Sequence, residues 1–401
     1  MSVTIENVQL RPASLVAGEP AALELEFQVG GSLVFDLDCV VEWFPGAETA
    51  PAVAMALREV GVDVSWLPAG RYRVTWSVPR LSLPGEEGRL VATVHYQLGG
   101  TRHHERKVLD VRIEGEPSPG PLAPGWHVES LGDTVALDQL SWQRGHEDWF
   151  YRHFDHAART IISYLLGDSP LLKGRVLDVG CGDGITDLGI ALRCQPEELV
   201  GIDPFEGYKR LPQIAAKNHL VLETLPDNLR FLPASGNDIP FADDSFDVVL
   251  SWGSLEHIAG GYDRTLAEIK RVLRDGGLFF AHPGLYYSNF GHHLGEFCEE
   301  PFFHLTRSHE ALRDLVLNNQ PKYMDRAGEF ATSEQYWQWF NELNPMTVSG
   351  FEQELRALGF EFYRVALRTE DLIEYHHPAL QQYAMQDLAT VELYLSAWNR
   401  K

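Results

Sequence analysis

The segment VLDVGCGDG, at positions 176–184, constrains the fold of this chain more than any other part of its sequence. An apolar run of strand character ends at Val179, and glycine then occupies every second position from 180 to 184. Alternating glycines allow a tight turn with positive φ that brings backbone N–H groups close to a ligand. The helical segment ITDLGIALRC follows. A strand that leads through such a turn into a helix is typical of an open α/β sheet with its ligand at the carboxyl ends of the strands.

Strand-like and helical segments alternate from about position 140 onward. RVLDVG, LVGID, FDVVLSW and LFFAHPG predict strands, ITDLGIALRC and TLAEIKRVLRDGG predict helices between them, and the helix VSGFEQELRALGF and the strands EFYRVALR and ATVELYLSAW follow. The earlier segment HEDWFYRHFDHAARTIISYLLG has helical periodicity and a broad apolar face formed by Trp149, Phe150, Phe154, Ala157, Ile161 and Leu165. This order predicts a doubly wound α/β domain, a parallel sheet with helices on both faces.

The first 113 positions carry a different pattern. AALELEFQV, VVEWF, YRVTWSV, LVATVHYQL and KVLDVRI alternate apolar and polar residues with period two. Short strands without helices between them predict an antiparallel, Ig-like β-sandwich at 1–113, in which APAVAMALREVGV forms a helical or irregular insert. The proline- and glycine-rich EGEPSPGPLAPGW predicts a linker at 114–127. We therefore expect a multidomain chain whose second domain occupies 128–401.

Composition limits the partners and the compartment. The formal net charge of −24 disfavours nucleic acid as a partner, because an acidic surface repels phosphates. The widely spaced cysteines, Cys39, Cys181, Cys194 and Cys298, suggest neither a disulfide framework nor a structural zinc site. No apolar run reaches membrane-spanning length, and MSVTIENVQL does not read as a signal peptide, so a cytoplasmic protein without a membrane span is expected.

The glycine segment does not match the dinucleotide-binding fingerprint G-x-G-x-x-G. The third glycine of that fingerprint would fall on Ile185 or Asp187. The observed pattern is D-x-G-x-G-x-G, from Asp178 to Gly184, and Asp203 ends the next predicted strand. A carboxylate at that position suits the two hydroxyls of a ribose.

Several segments, in this order along the chain, resemble the motifs of class I S-adenosylmethionine-dependent methyltransferases. They are VLDVGCGDG, LVGIDP, GNDIPFADDSFDVVLSWGSLEHI and IKRVLRDGGLFFAHP. The resemblance covers roughly 150–285 and, more weakly, the C-terminus. It implies a Rossmann-like sheet of seven strands with a reversed last strand. It also implies S-adenosyl-L-methionine as the cofactor and S-adenosyl-L-homocysteine as the product.

The same resemblance implies which residues bind each part of the cofactor. The glycines and the first aspartate would hold the methionine part, the second aspartate the ribose, the segment 237–239 the adenine, and the end of the fourth strand the sulfonium. The implied residues are Asp178, Gly180, Gly182, Gly184, Asp203, Asn237, Asp238, Ile239, Ser251 and Trp252.

Methyl transfer to a hydroxyl requires a base, and three histidines are candidates for it. Glu256 and His257 lie in SLEHI after the fourth strand, and His292 and His293 lie in HPGLYYSNFGHHLGEF after the fifth. We expect His293, ahead of His292, to be the base, oriented by Glu296. The alternative is that these histidines only stabilise their loops. No metal site is expected from His292, His293, Glu296 and His304, because metal-ligand spacing is not evident.

The segment from about 285 to 345 is longer than a plain strand–helix connection, which predicts a cap over the substrate. Its aromatic residues are Tyr336, Trp337, Trp339 and Phe340 in SEQYWQWFNELNPM. They are suited to stacking on a sugar or other ring. The alternative is that most of them form the core of the cap itself.

The first 113 residues resemble the C-terminal β-sandwich of ABC exporters of O-antigen polysaccharide, which recognises a glycan end. VAGEPAALELEFQV and WLPAGRYRVTWSVPRLSLPGEEGRLVATVHY carry this resemblance. It implies an O-methyltransferase that acts on a sugar hydroxyl of a glycan or glycosylated metabolite. Two alternatives stay open. One is a small-molecule methyltransferase for a carboxylate or amine, with the sandwich assembling a homo-oligomer. The other is a non-catalytic glycan- or cofactor-binding protein.

Overall fold

A computed structural model describes residues 3–31, 33–78, 81, 83–115, 125–132, 148–167, 169–218, 220, 224–322, 331–371 and 373–401. The chain divides into two compact units. One comprises residues 1–151 with 218–220, and the other comprises 152–217 with 221–401.

The first unit is rich in β-strands and contains two sheets. One sheet has the strand order β1-β3-β7-β10, and the other has the order β2-β9-β8-β4-β5 with β6 paired to β4. All neighbouring strands are antiparallel except β2 and β9. The strands are β1 (Val3–Arg11), β2 (Leu15–Val16), β3 (Ala21–Val29), β4 (Val34–Pro45), β5 (Val53–Ala56), β6 (Val64–Leu67), β7 (Gly70–Val78), β8 (Glu87–Leu98), β9 (Thr101–Glu114) and β10 (Gly125–Ser130).

The period-two pattern explains how these sheets bury one face. In β3 the alternate residues Leu23, Leu25 and Phe27 are buried, whereas the residues between them are partly exposed. Side chains of both sheets, among them Trp76 and Leu90, line the same small void. The prediction of a β-rich N-terminal region is confirmed, and its Ig-like sandwich architecture stays a prediction.

One detail of this unit differs from the sequence interpretation, and another agrees with it. The strand β10 pairs with β7, so the β-rich unit continues into the segment predicted as a linker, of which 116–124 lie outside the described residues. The domain boundaries proposed at 113 and 127 stay a prediction. The strand β10 crosses the second of them, which is evidence against that boundary. The insert APAVAMALREVGV contains the short strand β5 and a single 3₁₀ turn at Arg58–Val60, which agrees with an irregular insert.

The second unit is built on a seven-stranded sheet with the order β13-β12-β11-β14-β15-β17-β16. The first five strands in this order run parallel, and β17 is antiparallel to both of its neighbours. The predicted Rossmann-like sheet with a reversed last strand is therefore confirmed. The strands are β11 (Arg175–Val179), β12 (Glu198–Ile202), β13 (Leu229–Leu232), β14 (Phe246–Trp252), β15 (Leu273–His282), β16 (Phe360–Thr369) and β17 (Thr390–Asn399).

Helices of this unit follow the strands that they connect. A core that includes Leu177, Val249, Ile269 and Phe279 joins strand and helix side chains. The helices of the described chain are α1 (Trp149–Tyr151, in the first unit), α2 (Ala158–Tyr164), α3 (Ile185–Cys194), α4 (Leu211–Lys217), α5 (Asp263–Val272), α6 (Phe303–Thr306), α7 (His309–Leu317), α8 (Ser333–Glu342), α9 (Val348–Ala357) and α10 (Met385–Ala389). In the part of the chain that the structure describes, no helix is long and apolar enough to cross a bilayer.

The helix predicted before the glycine segment is not continuous. A π-helical turn at Arg152–Ala157 lies between α1 and α2. The buried Arg193 of α3 binds this turn, because its guanidinium donates to Asp155 at 2.6 Å and to the carbonyl of Phe154 at 2.7 Å. The predicted apolar face is buried from Phe150 to Leu165, whereas Trp149 is only half-buried.

The segment predicted as a cap contains α6, α7 and α8, and its residues 323–330 lie outside the described residues. It forms an apolar cluster of its own, which includes Leu294, Phe303, Val316, Tyr336 and Phe340. Trp337 and Trp339 pack partly buried against this cluster. The geometry thus favours the second interpretation of these aromatic residues, as core of the segment itself.

Candidate functional site

The glycine turn connects β11 to α3 in the way its sequence requires. The N–H groups of Gly180 and Cys181 donate to the carbonyl of Ile202 at the end of β12, at 2.9 and 3.1 Å. Gly180 has a φ of +84°, and a Cβ built on it would lie 2.3 Å from the Cβ of Ser254. Only glycine fits this position without displacing its neighbours, because both the backbone angle and the available space exclude a side chain.

The space above the middle of the turn is open. Gly182 has a φ of +56°, and no atom lies within 4 Å of a Cβ built on it. Its N–H donates to Oδ2 of Asp203 at 3.2 Å, and the N–H of Phe205 donates to Oδ1 of the same carboxylate at 2.8 Å. The turn and the half-buried Asp203 thus form the floor and one wall of a cradle at the carboxyl ends of β11 and β12.

Two buried carboxyl groups lie beneath this cradle. Burial, together with the nearby charge of Asp203, raises the pKa of Asp178 to about 7. Burial and the adjacent Asp178 raise the pKa of Asp187 well above its ordinary value. Oδ1 of Asp178 has no hydrogen-bond partner among the described residues. A cationic group bound above the turn would satisfy this oxygen and favour its charged form.

Ser251 and Trp252 have different environments at the end of β14. The hydroxyls of Ser251 and Ser254 both donate to the carbonyl of Val179, at 3.0 and 2.8 Å, and so tie the ends of β14 and β11 together. The ring of Trp252 packs against His282 and Tyr394, with centroid distances of 4.3 and 5.8 Å. Ser251 is therefore a bracing residue of the cradle.

The segment after β13 supplies the remaining predicted cofactor residues. Asn237 is fixed by two side-chain hydrogen bonds, donating to the carbonyl of Ala259 at 3.1 Å and accepting from the hydroxyl of Thr265 at 2.8 Å. Asp238 is exposed, whereas Ile239 is buried and its N–H donates to Glu268. These residues lie after β13 on the same edge of the sheet as the glycine turn, since the carboxyl ends of parallel strands meet there.

The adjacent histidines of the HH pair have opposite roles in the structure. The buried ring of His292 contacts the backbone through both nitrogens, with Nε2 2.9 Å from the carbonyl of Asn289 and Nδ1 accepting from the N–H of Leu294 at 3.1 Å. Burial lowers its pKa to about 4. These contacts favour the alternative that His292 stabilises its loop, and its role as the base stays a prediction.

Glu296, the carboxylate predicted to orient His293, also contacts other residues. Glu296 is buried, and its Oε1 accepts from the hydroxyl of Tyr336 at 3.4 Å, inside the cluster of the cap segment. His304 is buried as well, with Nε2 3.0 Å from the carbonyl of Tyr286 and its ring 4.2 Å from that of His292. The structure therefore places Glu296 and His304 in the packing of the segment.

His293 instead meets two residues that follow β14. Its Nε2 lies 3.9 Å from Oε1 of Glu256, and its ring centroid lies 4.7 Å from that of His257. His293 has a φ of +52°, which turns its side chain away from the direction of His292. Both rings are half-buried, whereas Glu256 is buried. The structure thus brings two of the predicted histidines together with Glu256, the neighbour of His257 in SLEHI.

Glu256 is positioned by the backbone around it. It lies in a 3₁₀ turn at Leu255–His257, whose carbonyls are held by Asn344, with the N–H of Asn344 donating to the carbonyl of Glu256 at 2.7 Å. A Cβ on Gly284 would lie 2.6 Å from its Oε1. Burial raises the pKa of Glu256 to about 7, partly offset by an N–H donated from Gly284. Its position directly after β14, next to His257, was the available sequence signal.

Comparison with known proteins assigns the central part of the second unit. Residues 177–281 match the model of a family described as a methyltransferase domain. The chain is 28% identical over 168 residues to a demethylmenaquinone methyltransferase of Symbiobacterium thermophilum, an alignment that covers 41% of this chain and 62% of the relative. It is also 28% identical over 166 residues to a 27-O-demethylrifamycin SV methyltransferase of Amycolatopsis mediterranei, which covers 40% of this chain and 57% of the relative.

The solved structure of the YcgJ protein of Bacillus subtilis is also similar to this chain. The alignment covers 61% of this chain and 99% of the YcgJ chain, with 17% sequence identity and a TM-score of 0.37. The alignments to the two curated relatives above span less than two thirds of either relative's length. Residues 177–281 are therefore similar to a methyltransferase domain.

Proposed function

We propose that this protein is an S-adenosylmethionine-dependent O-methyltransferase that acts on a sugar hydroxyl of a glycan or glycosylated metabolite. The observation that carries the proposal is the open cradle formed by the turn at Gly180–Gly184 and by Asp203. The cradle lies inside the part of the chain that matches the methyltransferase domain.

The residues of the cradle suit the groups of this cofactor. Asp178 offers a buried carboxylate oxygen, without a partner among the described residues, to a cationic ammonium group. The backbone N–H groups of the turn suit a carboxylate, and Asp203 suits the two hydroxyls of a ribose. The segment Asn237–Ile239 would hold the adenine. When bound, the cofactor supplies an electrophilic methyl group on a sulfonium.

The chain itself must position the acceptor and accept its proton. Positioning of the two reactants accounts for much of the rate of such a displacement. His293 and His257, adjacent to Glu256, form the titratable group at this edge of the sheet, and a base there contributes about 100- to 10,000-fold. Their half-buried rings leave access for an acceptor hydroxyl.

The sugar acceptor is supported by the resemblance of the first 113 residues to a glycan-recognising β-sandwich. A hydroxyl needs a base, which the histidines provide, whereas a carboxylate acceptor does not. One of the relatives is named for a methyl transfer to oxygen and the other for a quinone, so the methyltransferase domain alone does not select the acceptor.

The test combines cofactor binding with methyl transfer. Calorimetry with S-adenosylhomocysteine should give one site per chain, and Asp203→Ala should weaken it at least about tenfold through lost ribose contacts. The control Asp227→Ala removes the same charge from an exposed position, and it should leave the binding of S-adenosylhomocysteine unchanged. Incubation with labelled S-adenosylmethionine and a panel of sugars, carboxylates and amines then identifies the acceptor class. No cofactor binding would overturn the proposal, and binding without transfer to any sugar would overturn its acceptor.

A further inference from the structure

Glu256, His257 and His293 form a compact cluster of metal-ligating groups. One ligand atom from each residue can be chosen so that all three lie within 4.8 Å of one another. Glu256 and His257 follow β14, and His293 follows β15, so the two neighbouring parallel strands bring the groups together. We propose that these three residues bind a divalent transition-metal ion such as zinc.

The distances are close to those of a metal site. Bonds of about 2.1 Å in a tetrahedral shell place two ligand atoms about 3.4 Å apart. Nε2 of His293 and Oε1 of Glu256 are 3.9 Å apart. A rotation of the half-buried imidazole that moves its nitrogen by less than about an ångström therefore completes this pair.

The buried carboxylate supplies an independent argument. Glu256 is only 2% exposed, and its Oε2 has no hydrogen-bond partner among the described residues. No lysine or arginine is paired with it there. The N–H of Gly284 donates to this carboxyl group but carries no charge, and buried charges are normally paired or coordinate a metal. An ion held between the carboxylate and the two imidazoles would pair this charge.

The donor set selects the kind of ion. Two imidazole nitrogens and one carboxylate oxygen suit zinc and other late first-row ions rather than magnesium or calcium, which prefer oxygen ligands. Three protein ligands leave at least one coordination position open. The two half-buried histidines leave the cluster accessible to water or to a substrate oxygen.

The role of the ion, unlike its binding, rests on the proposed function. A hydroxyl oxygen bound at the open position loses its proton more readily, because the ion stabilises the alkoxide that then attacks the methyl carbon. The proton passes to solvent, the O–CH₃ bond forms and the S–CH₃ bond breaks. Coordinated in this way, His257 and His293 act as ligands and the ion replaces a free base.

The metal ligands differ from those that the sequence made conspicuous. His292, Glu296 and His304 are engaged in packing and backbone contacts, and only His293 of that group reaches the cluster. The neighbouring element supplies the other two ligands, which no local spacing motif in the sequence reveals.

The experiment measures zinc binding directly. The full chain is dialysed against a chelator, titrated with Zn²⁺ by calorimetry, and titrated with Co²⁺ while its visible absorption is recorded. We expect one ion per chain and the d–d absorption of cobalt with nitrogen and oxygen ligands. Glu256→Gln and His293→Asn should each weaken zinc binding by about 100-fold, because each replaces a strong zinc ligand with a neutral amide, which binds zinc poorly. Asparagine is chosen because it tolerates positive φ.

The control is His376→Ala, which removes an exposed histidine near Glu374 and should not change zinc binding. Thermal unfolding checks that each variant is folded. Absence of a one-to-one zinc site, or equal zinc affinity in the wild type and both ligand variants, would overturn the inference. S-adenosylhomocysteine binding is measured on the same samples, so failure of the metal site and failure of the proposed function are distinguishable.

Discussion

The glycine turn and the histidine cluster, the two halves of the candidate site, are assembled in different ways. The turn is local, because Gly180 and Gly182 bond to Ile202 and Asp203 of the very next strand. The cluster joins Glu256 to His293 from the loops after two different strands. The turn depends on backbone angles that glycine alone adopts easily, whereas the cluster depends on which way each side chain points.

The HH pair makes this difference concrete. His292 is directed into the packing of its own segment, and His293, with a φ of +52°, is directed toward Glu256. We therefore expect substitutions of these two adjacent histidines to have different effects.

The largest expected effect separates these two histidines. His293→Asn should lower the methyl-transfer rate by about 100- to 10,000-fold, because it removes a base or a metal ligand while asparagine tolerates the backbone angle. His292→Asn should leave the rate of the folded protein unchanged but destabilise it by about 2 kcal/mol, because buried backbone groups lose their partner. Rates and urea unfolding of both variants check this pair. A rate loss confined to His292→Asn would contradict the assignment.

The next effect tests the glycine turn in the same paired manner. Gly180→Ala should destabilise the protein by about 3 kcal/mol, from a strained positive φ and a clash with Ser254. Gly182→Ala should cost only about 1 kcal/mol, because its Cβ enters open space.

Chemical unfolding measures the stability of the two glycine variants, and S-adenosylhomocysteine calorimetry measures their ligand affinity. The space above Gly182 belongs to the cradle, so the added methyl group of Gly182→Ala would occupy space that the ligand needs. This variant should therefore bind S-adenosylhomocysteine more weakly even though its stability changes little. Equal stability of the two variants would argue that the close approach of Ser254 does not constrain the turn.

Much of the fold and the first half of the site could be predicted from the sequence. The run of apolar residues in β11 and the glycines after it encode a strand and a turn within a few positions, so the α/β class of the domain followed from local signals. The seven strands and the reversed last strand were implied by the resemblance to methyltransferases. Glu256 and Glu296 could not be distinguished in this way. Both follow strands of the same sheet, and only tertiary packing places Tyr336 beside one and His293 beside the other.

A smaller effect concerns the two carboxyl groups beneath the glycine turn. Burial raises the pKa of Asp178 to about 7, and that of Asp187 is raised as well, so the folded chain retains protons that the unfolded chain releases near pH 4. The stability present at low pH is therefore lost as the pH rises through 7. Asp187→Asn should remove part of this loss, so that the variant gains stability on the wild type as the pH rises from 5 to 8.

Unfolding at pH 5, 6, 7 and 8 measures this difference, and the exposed Asp227→Asn serves as its control. An unchanged pH dependence in Asp187→Asn would show that the buried pair does not titrate in this range. A larger loss of stability in the variant at pH 8 would show that the charged form of Asp187 is stabilised in the fold.

The smallest effect tests whether Glu296 belongs to the site or to the packing. Its Oε1 accepts a long hydrogen bond of 3.4 Å from Tyr336 within the cap segment. Tyr336→Phe should therefore cost no more than about 1 kcal/mol, since a weak hydrogen bond is lost and the ring stays. The pH profile of methyl transfer should be the same in Tyr336→Phe and Glu296→Gln as in the wild type. If Glu296 instead orients His293 after a rearrangement of the segment, Glu296→Gln would shift that pH profile. Glu296 would then belong to the site with His293, and its assignment to the packing of the cap segment would be wrong.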